Sequence, residues 1–148
     1  MTYTLCLMIF LASIEPQLFM TPYVHVKALE KSFFEEIGDK RFIPYIQLHE
    51  FEALLFCGIN HLSALYPGCE KGCDKLSKDL LKVGNPELID NSPTTAPSKR
   101  IIKAIEGGKK YNYNKPTTGK SVTKQIGIEE LRAKCPHFNE WIEKLLTC

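Results

Sequence analysis

Apolar positions recur along this chain at two spacings, and each spacing predicts a kind of secondary structure. Largely apolar stretches at residues 3–11 and 41–47 predict two buried strands. Elsewhere apolar residues recur every three or four positions, between glycines and prolines that end each segment, which is typical of amphipathic helices. The predicted helices are residues 24–37, 50–56, 59–66, 69–83, 98–105, 122–126, 128–134 and 136–146, with loops at 84–97 and 107–119.

This order of elements predicts an α/β fold, with a few N-terminal strands followed by a mostly helical C-terminal half. A chain of 148 residues that is 44% hydrophobic can form one domain with its own core. Two strands alone, however, make a marginal sheet. We therefore expect a single partial domain, whose missing strands come from a partner chain or from sequence upstream of Met1.

The charges of the chain are unevenly distributed. The formal net charge is only +2, so no strong overall field attracts nucleic acid or an anionic membrane. Ten of the nineteen basic residues nevertheless lie between Lys99 and Lys134. This basic half could follow a phosphate backbone, or it could simply be a solvated helix surface.

The cysteines and the N-terminal apolar run both bear on location. None of the six cysteines forms a C-x-x-C pair, which favours free thiols in a reducing cytoplasm. The apolar run at residues 5–12 is too short to span a bilayer, and no basic residue precedes it. We therefore predict a cytoplasmic protein with no membrane partner.

The first candidate site is the polar cluster His49-Glu50-Phe51-Glu52, between the second predicted strand and a predicted helix. The three-residue spacing of His49 and Glu52 places them on one helix face. Glu50 and Glu52 would supply hard oxygen ligands that suit Mg²⁺ or Mn²⁺, an ion able to polarise a phosphate or activate a water. The alternative is structural, with His49 capping the helix region and the two acids favouring the positive end of that helix's dipole.

The second candidate site is Ser98-Lys99-Arg100, which follows Pro97 at a predicted helix start. Backbone N–H groups there attract anions, so these three residues form a candidate phosphate-binding site. The alternative is a plain helix cap with two solvated basic residues. The sequence at 119–121 resembles the end of a P-loop, but it lacks the earlier glycine and the preceding strand, so we expect no ATP binding.

Three segments together resemble a bacterial family, the domain-of-unknown-function family 4276. They are RFIPYIQLHEFEALLF at 41–56, TAPSKRI at 95–101 and IGIEELRAKCPHFNEW at 126–141, within a family-like region of residues 28–146. The resemblance implies a Toprim-like α/β fold, similar to nucleases that accompany ATPases in bacterial phage defence. Phe51-Glu52 followed by Leu54-Leu55 also resembles the F-E-x-x-L element of related nucleases, which favours Glu52 over Glu50 as a metal ligand.

The chain departs from this pattern near its N-terminus. It has no V-E-G-x-T-E motif, and its first predicted strand carries no acid. Residues 1–27 are thus divergent, which a shifted reading frame or a misplaced start would explain. We expect the C-terminal part of a Toprim-like, metal-dependent nuclease with Glu52, Glu50 and His49 as catalytic residues, catalytically incomplete as given. The alternative is a non-enzymatic module that binds a partner ATPase or nucleic acid.

Overall fold

A computed structural model describes residues 21–89 and 92–147 of the chain. Within these ranges it consists of seven α-helices and two short 3₁₀ turns. The helices are α1 (Pro22–Ile37), α2 (Glu52–Leu55), α3 (Ile59–Leu65), α4 (Glu70–Val83), α5 (Pro97–Glu106), α6 (Lys115–Lys134) and α7 (Pro136–Leu146), and the 3₁₀ turns are Phe56–Gly58 and Pro86–Leu88.

The prediction of an α/β fold with N-terminal strands is wrong, because the described part of the chain is all-helical. Residues 42–47, predicted as a strand, have no regular secondary structure and pair with no strand among the described residues. Pro44 has no N–H to donate to a neighbouring strand. The Ile46 N–H instead donates a hydrogen bond of 2.7 Å to Oε1 of Glu30 in α1. The other predicted strand, at residues 3–11, lies outside the described residues.

Aromatic side chains hold the segment 42–47 against the C-terminal helix. The ring of Tyr45 stacks on those of Trp141 and His137 in α7, with centroid distances of 4.7 and 5.3 Å. This segment thus packs on helix α7 and not on a second strand. The apolar run therefore resembled a sheet strand in the sequence, because an apolar pattern indicates that side chains are covered but not which element covers them.

Glycines end the predicted helices where the sequence indicated. Gly38 and Gly84 adopt left-handed backbone angles, with φ of 66° and 75°, directly after α1 and α4. Gly127, with φ 75° and ψ 163°, breaks α6 between the two predicted helices. The start of α6 was predicted wrongly: α6 begins at Lys115, inside the predicted loop, because the Asn114 side chain accepts a 3.0 Å hydrogen bond from the Thr117 N–H.

One core joins helices α2 to α6 and the 3₁₀ turns. Its largest fully buried apolar side chains include Phe56, Leu62, Ile101 and Ile105. Helices α4 and α5 pack closely where Gly72 meets Ala104: a Cβ on Gly72 would lie 2.3 Å from the Ala104 carbonyl oxygen. This approach fixes how the two helices cross, and with it the surface between them.

A buried carboxylate attaches α7 to the rest of the fold. Glu87, fully buried in the second 3₁₀ turn, accepts hydrogen bonds from the backbone N–H groups of His137 and Phe138 at 3.0 and 2.9 Å. The Tyr23 hydroxyl of α1 donates to the same carboxylate at 2.9 Å. The imidazole of His137 lies 2.8 Å from Oε1 of Glu30 in α1. Two buried acids thus tie α1 and α7 together.

Substitution of Gly72 tests the close crossing of α4 and α5. We expect Gly72→Ala to lower the free energy of unfolding by about 1–3 kcal/mol, because the new methyl group must push backbone atoms apart. Gly108→Ala is the matched control: its Cβ would meet no atom within 4 Å, so the change should be within about 0.5 kcal/mol. Urea unfolding followed by circular dichroism measures both, and equal effects would contradict the close packing.

Candidate functional site

The Glu52 carboxylate is the most unusual charged group of the described residues. Glu52 begins α2, its side chain is 0% exposed, and no described residue donates a hydrogen bond to either of its oxygens. Nζ of Lys115 lies 2.9 Å from Oε1 and forms an ion pair with the Glu52 carboxylate. A buried carboxylate therefore relies on one half-exposed lysine, from the first residue of α6, for its countercharge.

Tyr113 shares the surroundings of Glu52. Its hydroxyl is buried close to the Glu52 carboxylate, without a hydrogen bond of ordinary geometry to a described residue. Burial, together with the negative charge of Glu52, raises the pKa of the Tyr113 phenol, which therefore stays protonated. A neutral hydroxyl donor and two carboxylate acceptors without hydrogen bonds thus lie in one region, an arrangement more frequent at functional sites than in an ordinary core.

Glu50 serves a different purpose from Glu52, although the two are neighbours in sequence. Its Oε2 accepts a 2.8 Å hydrogen bond from the backbone N–H of Ser98 at the start of α5. Burial alone would raise the pKa of Glu50, but the hydrogen bonds from Ser98 and the charges of Lys115 and Lys99 together lower it. Glu50 is thus an ionised cap for α5, which is not the helix whose dipole the structural alternative invoked.

His49 lies outside the helix on which it was expected. Because α2 begins at Glu52, the expectation that the two residues share a helix face is wrong. The His49 backbone is left-handed, with φ of 59°, and its side chain is half-buried. This bend at His49 redirects the chain from the segment 42–47 into α2. The catalytic role of His49 stays a prediction.

The described residues fit a metal ion only in part. Glu52 offers two carboxylate oxygens without hydrogen bonds, which is suitable donor chemistry for Mg²⁺ or Mn²⁺. The Lys115 ammonium, however, already provides positive charge beside Oε1. No group of three or more histidine, cysteine or acidic side chains able to hold a metal occurs within residues 21–89 and 92–147. The predicted metal ligands Glu52 and Glu50 thus stay predictions.

Lys99 and Arg100 line a cleft between α4 and α5, which we call the basic cleft. Its volume is about 270 Å³, and its charged side chains are Lys75, Asp79, Lys99, Arg100 and Lys103. Nη1 of Arg100 lies 2.9 Å from Oδ2 of Asp79. The three lysines form no ion pair with any described residue, and each is exposed. The cleft therefore has four cations against one carboxylate.

The three predicted phosphate-binding residues do not lie together. Lys99 and Arg100 face the basic cleft, whereas Ser98 is buried, does not line it, and donates its N–H to Glu50. The sequence interpretation also missed Lys75, Lys103 and Lys115. Lys75 and Lys103 lie on helices whose crossing the sequence does not reveal. Lys115 stood out only as one basic residue among ten in its region.

With the fold and these groups described, the comparisons with known proteins can be stated. The family model described as a domain of unknown function, DUF4276, matches residues 3–146, so the chain belongs to this family. The match confirms the family resemblance and begins upstream of residue 28, where the resemblance was expected to start. No curated protein and no solved structure matches the chain. Among the described residues, every helix is too short or too polar to cross a bilayer.

The lowered pKa of Glu50 predicts a pH-dependent contribution to stability. A carboxyl whose pKa is lower in the folded state stabilises the fold above its unfolded pKa of about 4.3, and this contribution disappears as the pH falls through the folded pKa. We expect Glu50→Gln to reduce the free energy of unfolding by about 1 kcal/mol at pH 7, because the charged cap of α5 is lost.

Urea unfolding between pH 7 and pH 3.5 measures this effect, and the difference between variant and wild type should shrink towards zero at the acidic end. Glu36→Gln, at an exposed position in α1, is the control and should change stability by less than about 0.5 kcal/mol throughout. A constant difference at all pH values would show that the Glu50 charge does not cap α5.

Proposed function

We propose that this protein is a non-enzymatic module that binds nucleic acid through its phosphates at the basic cleft. The observation that carries the proposal is the convergence of Lys75, Lys99, Arg100 and Lys103 from two helices on one cleft. Phosphate groups are the most abundant anions of a nucleic acid, and lysine and arginine are their usual protein partners. The proposal is the binding alternative that the sequence left open.

The chemistry of the cleft favours a phosphate over a neutral ligand. Arg100 is held in place by Asp79, so its guanidinium needs little reordering to meet an anion. Lys99 and Lys103 are exposed and lie on the same helix, which lets them follow an anionic backbone along the surface. A volume of about 270 Å³ is below the usual range for drug-sized ligands and suits one phosphate group with its sugar.

Capping by Glu50 assists this surface indirectly. The Glu50 carboxylate fixes the first turn of α5, which carries Lys99 and Arg100. Ser98, predicted as a phosphate contact, would instead position this turn, because its N–H is already bonded to Glu50. A partner ATPase, a cytoplasmic location and a role in phage defence stay predictions, the first and last of them implied only by the family resemblance.

Loss of two lysines tests the proposed binding. We expect wild-type protein to bind a fluorescein-labelled single- or double-stranded oligonucleotide in EDTA, with an affinity that falls steeply as salt is raised. In Lys99→Ala/Lys103→Ala, two phosphate contacts are lost, so the slope of log K against log salt should fall by roughly 2 and the affinity on the order of tenfold or more. Fluorescence anisotropy measures both quantities.

Lys124→Ala is the matched control, since Lys124 is exposed and does not line the cleft. This variant should keep most of the wild-type affinity. Equal losses in the control and in the double variant would mean that binding is spread over the basic surface and does not use the cleft. No detectable binding by wild-type protein at low salt would overturn the proposal.

A second candidate function, metal-dependent phosphodiester hydrolysis, is favoured by the buried Glu52 carboxylate that accepts no hydrogen bond from a described residue. Glu52 and Glu50 would hold Mg²⁺ or Mn²⁺, and the bound ion would polarise a phosphate or activate a water. In this function Lys115 would neutralise Glu52 when the ion is absent. The basic cleft would then orient the substrate.

Cleavage of a labelled oligonucleotide in Mn²⁺ separates the two functions. The hydrolytic function requires a product that forms with metal, is lost in EDTA and falls at least about 100-fold in Glu52→Gln. Glu36→Gln, at an exposed site, should retain full activity. Circular dichroism must show that Glu52→Gln keeps its helices. Binding without any metal-dependent product would exclude the second candidate for this chain and leave the first intact.

A further inference from the structure

Two cysteines far apart in the sequence meet in the core. Cys57, in the 3₁₀ turn after α2, and Cys135, between α6 and α7, are 4% and 0% exposed. Their sulfur atoms are 3.4 Å apart and form a thiol hydrogen bond. Both are free thiols. Only a small movement would bring the sulfurs to the bonding distance of about 2.05 Å.

The surroundings make the two thiols unequal. The hydrogen bond with Cys135 and the nearby Lys134 charge lower the pKa of Cys57, against burial and the negative charges of Glu130 and Glu87. The same hydrogen bond, together with burial, raises the pKa of Cys135. The Lys134 ammonium is fixed close by, since Nζ donates a 3.0 Å hydrogen bond to the Cys57 carbonyl oxygen. Cys57 is therefore the better nucleophile of the pair, and Cys135 lies ready to react with its oxidised form.

The other two described cysteines provide an internal comparison. Cys69 and Cys73 are also buried free thiols and are only four residues apart. The Cys69 sulfur, however, donates to the Ile105 carbonyl oxygen at 3.3 Å, and burial is the main cause that raises the pKa of Cys73. Neither thiol has a lysine fixed beside it in the way that Lys134 is fixed beside Cys57. Although Cys69 and Cys73 are close in sequence, we therefore do not expect them to be the pair that oxidises.

We propose that Cys57 and Cys135 form a redox-responsive pair that hydrogen peroxide converts into a disulfide. The Cys57 thiolate attacks one peroxide oxygen and becomes a sulfenic acid, while the departing hydroxide takes up the proton released by Cys57 and leaves as water. The Cys135 sulfur then attacks the Cys57 sulfur. Its proton leaves with the sulfenic hydroxyl as a second water, so two thiols and one peroxide give one disulfide and two waters.

The crosslink would join the turn after α2 to the start of α7. Cys57 directly follows α2, whose first residue is Glu52, and Cys135 precedes α7, which Glu87 attaches to the fold. The disulfide would close a loop that spans most of the described chain, which restricts the unfolded state strongly. Oxidation should therefore stabilise the protein without moving the basic cleft, which lies between α4 and α5.

Peptide mapping under non-reducing conditions tests the pair directly. Native protein is treated with a modest excess of hydrogen peroxide, the remaining thiols are blocked with iodoacetamide, and the protein is digested. We expect one major crosslinked peptide that joins Cys57 to Cys135 and is two hydrogens lighter than the sum of its thiol forms. The melting temperature should rise on the order of 10 °C and return to its initial value in dithiothreitol.

Two variants separate this pair from the other thiols. Cys73→Ser should form the Cys57–Cys135 crosslink as wild type does, and Cys57→Ser should lose both the crosslink and the reversible increase in melting temperature. If Cys57→Ser does not fold, the wild-type map still decides. A map dominated by a Cys69–Cys73 crosslink, or by sulfinic acid at Cys57 with Cys135 still reduced, would overturn the proposal.

Discussion

The arrangement of helices α1 and α7 depends on the buried carboxylate of Glu87. It accepts two backbone N–H groups at the start of α7 and the hydroxyl of Tyr23 from α1. A fully buried carboxylate without such donors would destabilise the fold. The three hydrogen bonds offset the loss of hydration, and they also attach both helices to Glu87. The His137–Glu30 contact repeats this link between α1 and α7 a short distance away.

Like Glu87 at the start of α7, a second carboxylate lies at a helix N-terminus, and it belongs to the motif where the candidate site was expected. Glu50 caps α5, so an acid that suggested metal chemistry in the sequence has a structural partner. Glu52 differs, because it is buried deeper and no described residue donates a hydrogen bond to it. Two glutamates in one short motif therefore have separate roles, and only the tertiary partners distinguish them.

The basic cleft and the thiol pair both result from helix packing. Lys75 and Lys103 reach one cleft because Gly72 lets α4 and α5 approach closely. Cys57 and Cys135 meet because the turn after α2 packs beside the junction of α6 and α7. The cleft is exposed and charged, whereas the two thiols are buried. The proposed anion binding and the proposed thiol oxidation therefore belong to separate parts of the fold and can be tested independently.

The sequence by itself determined most of the helices and several of their ends, because Gly38, Gly84 and Gly127 act through local backbone conformation. It also placed Lys99 and Arg100 at a helix start, which is a local property. Only the tertiary structure decided that residues 41–47 pack on α7 through Tyr45, since an apolar run does not specify whether a strand or a helix covers it. Likewise, the Lys115–Glu52 ion pair and the Cys57–Cys135 contact join distant residues, and no local pattern encodes such distances.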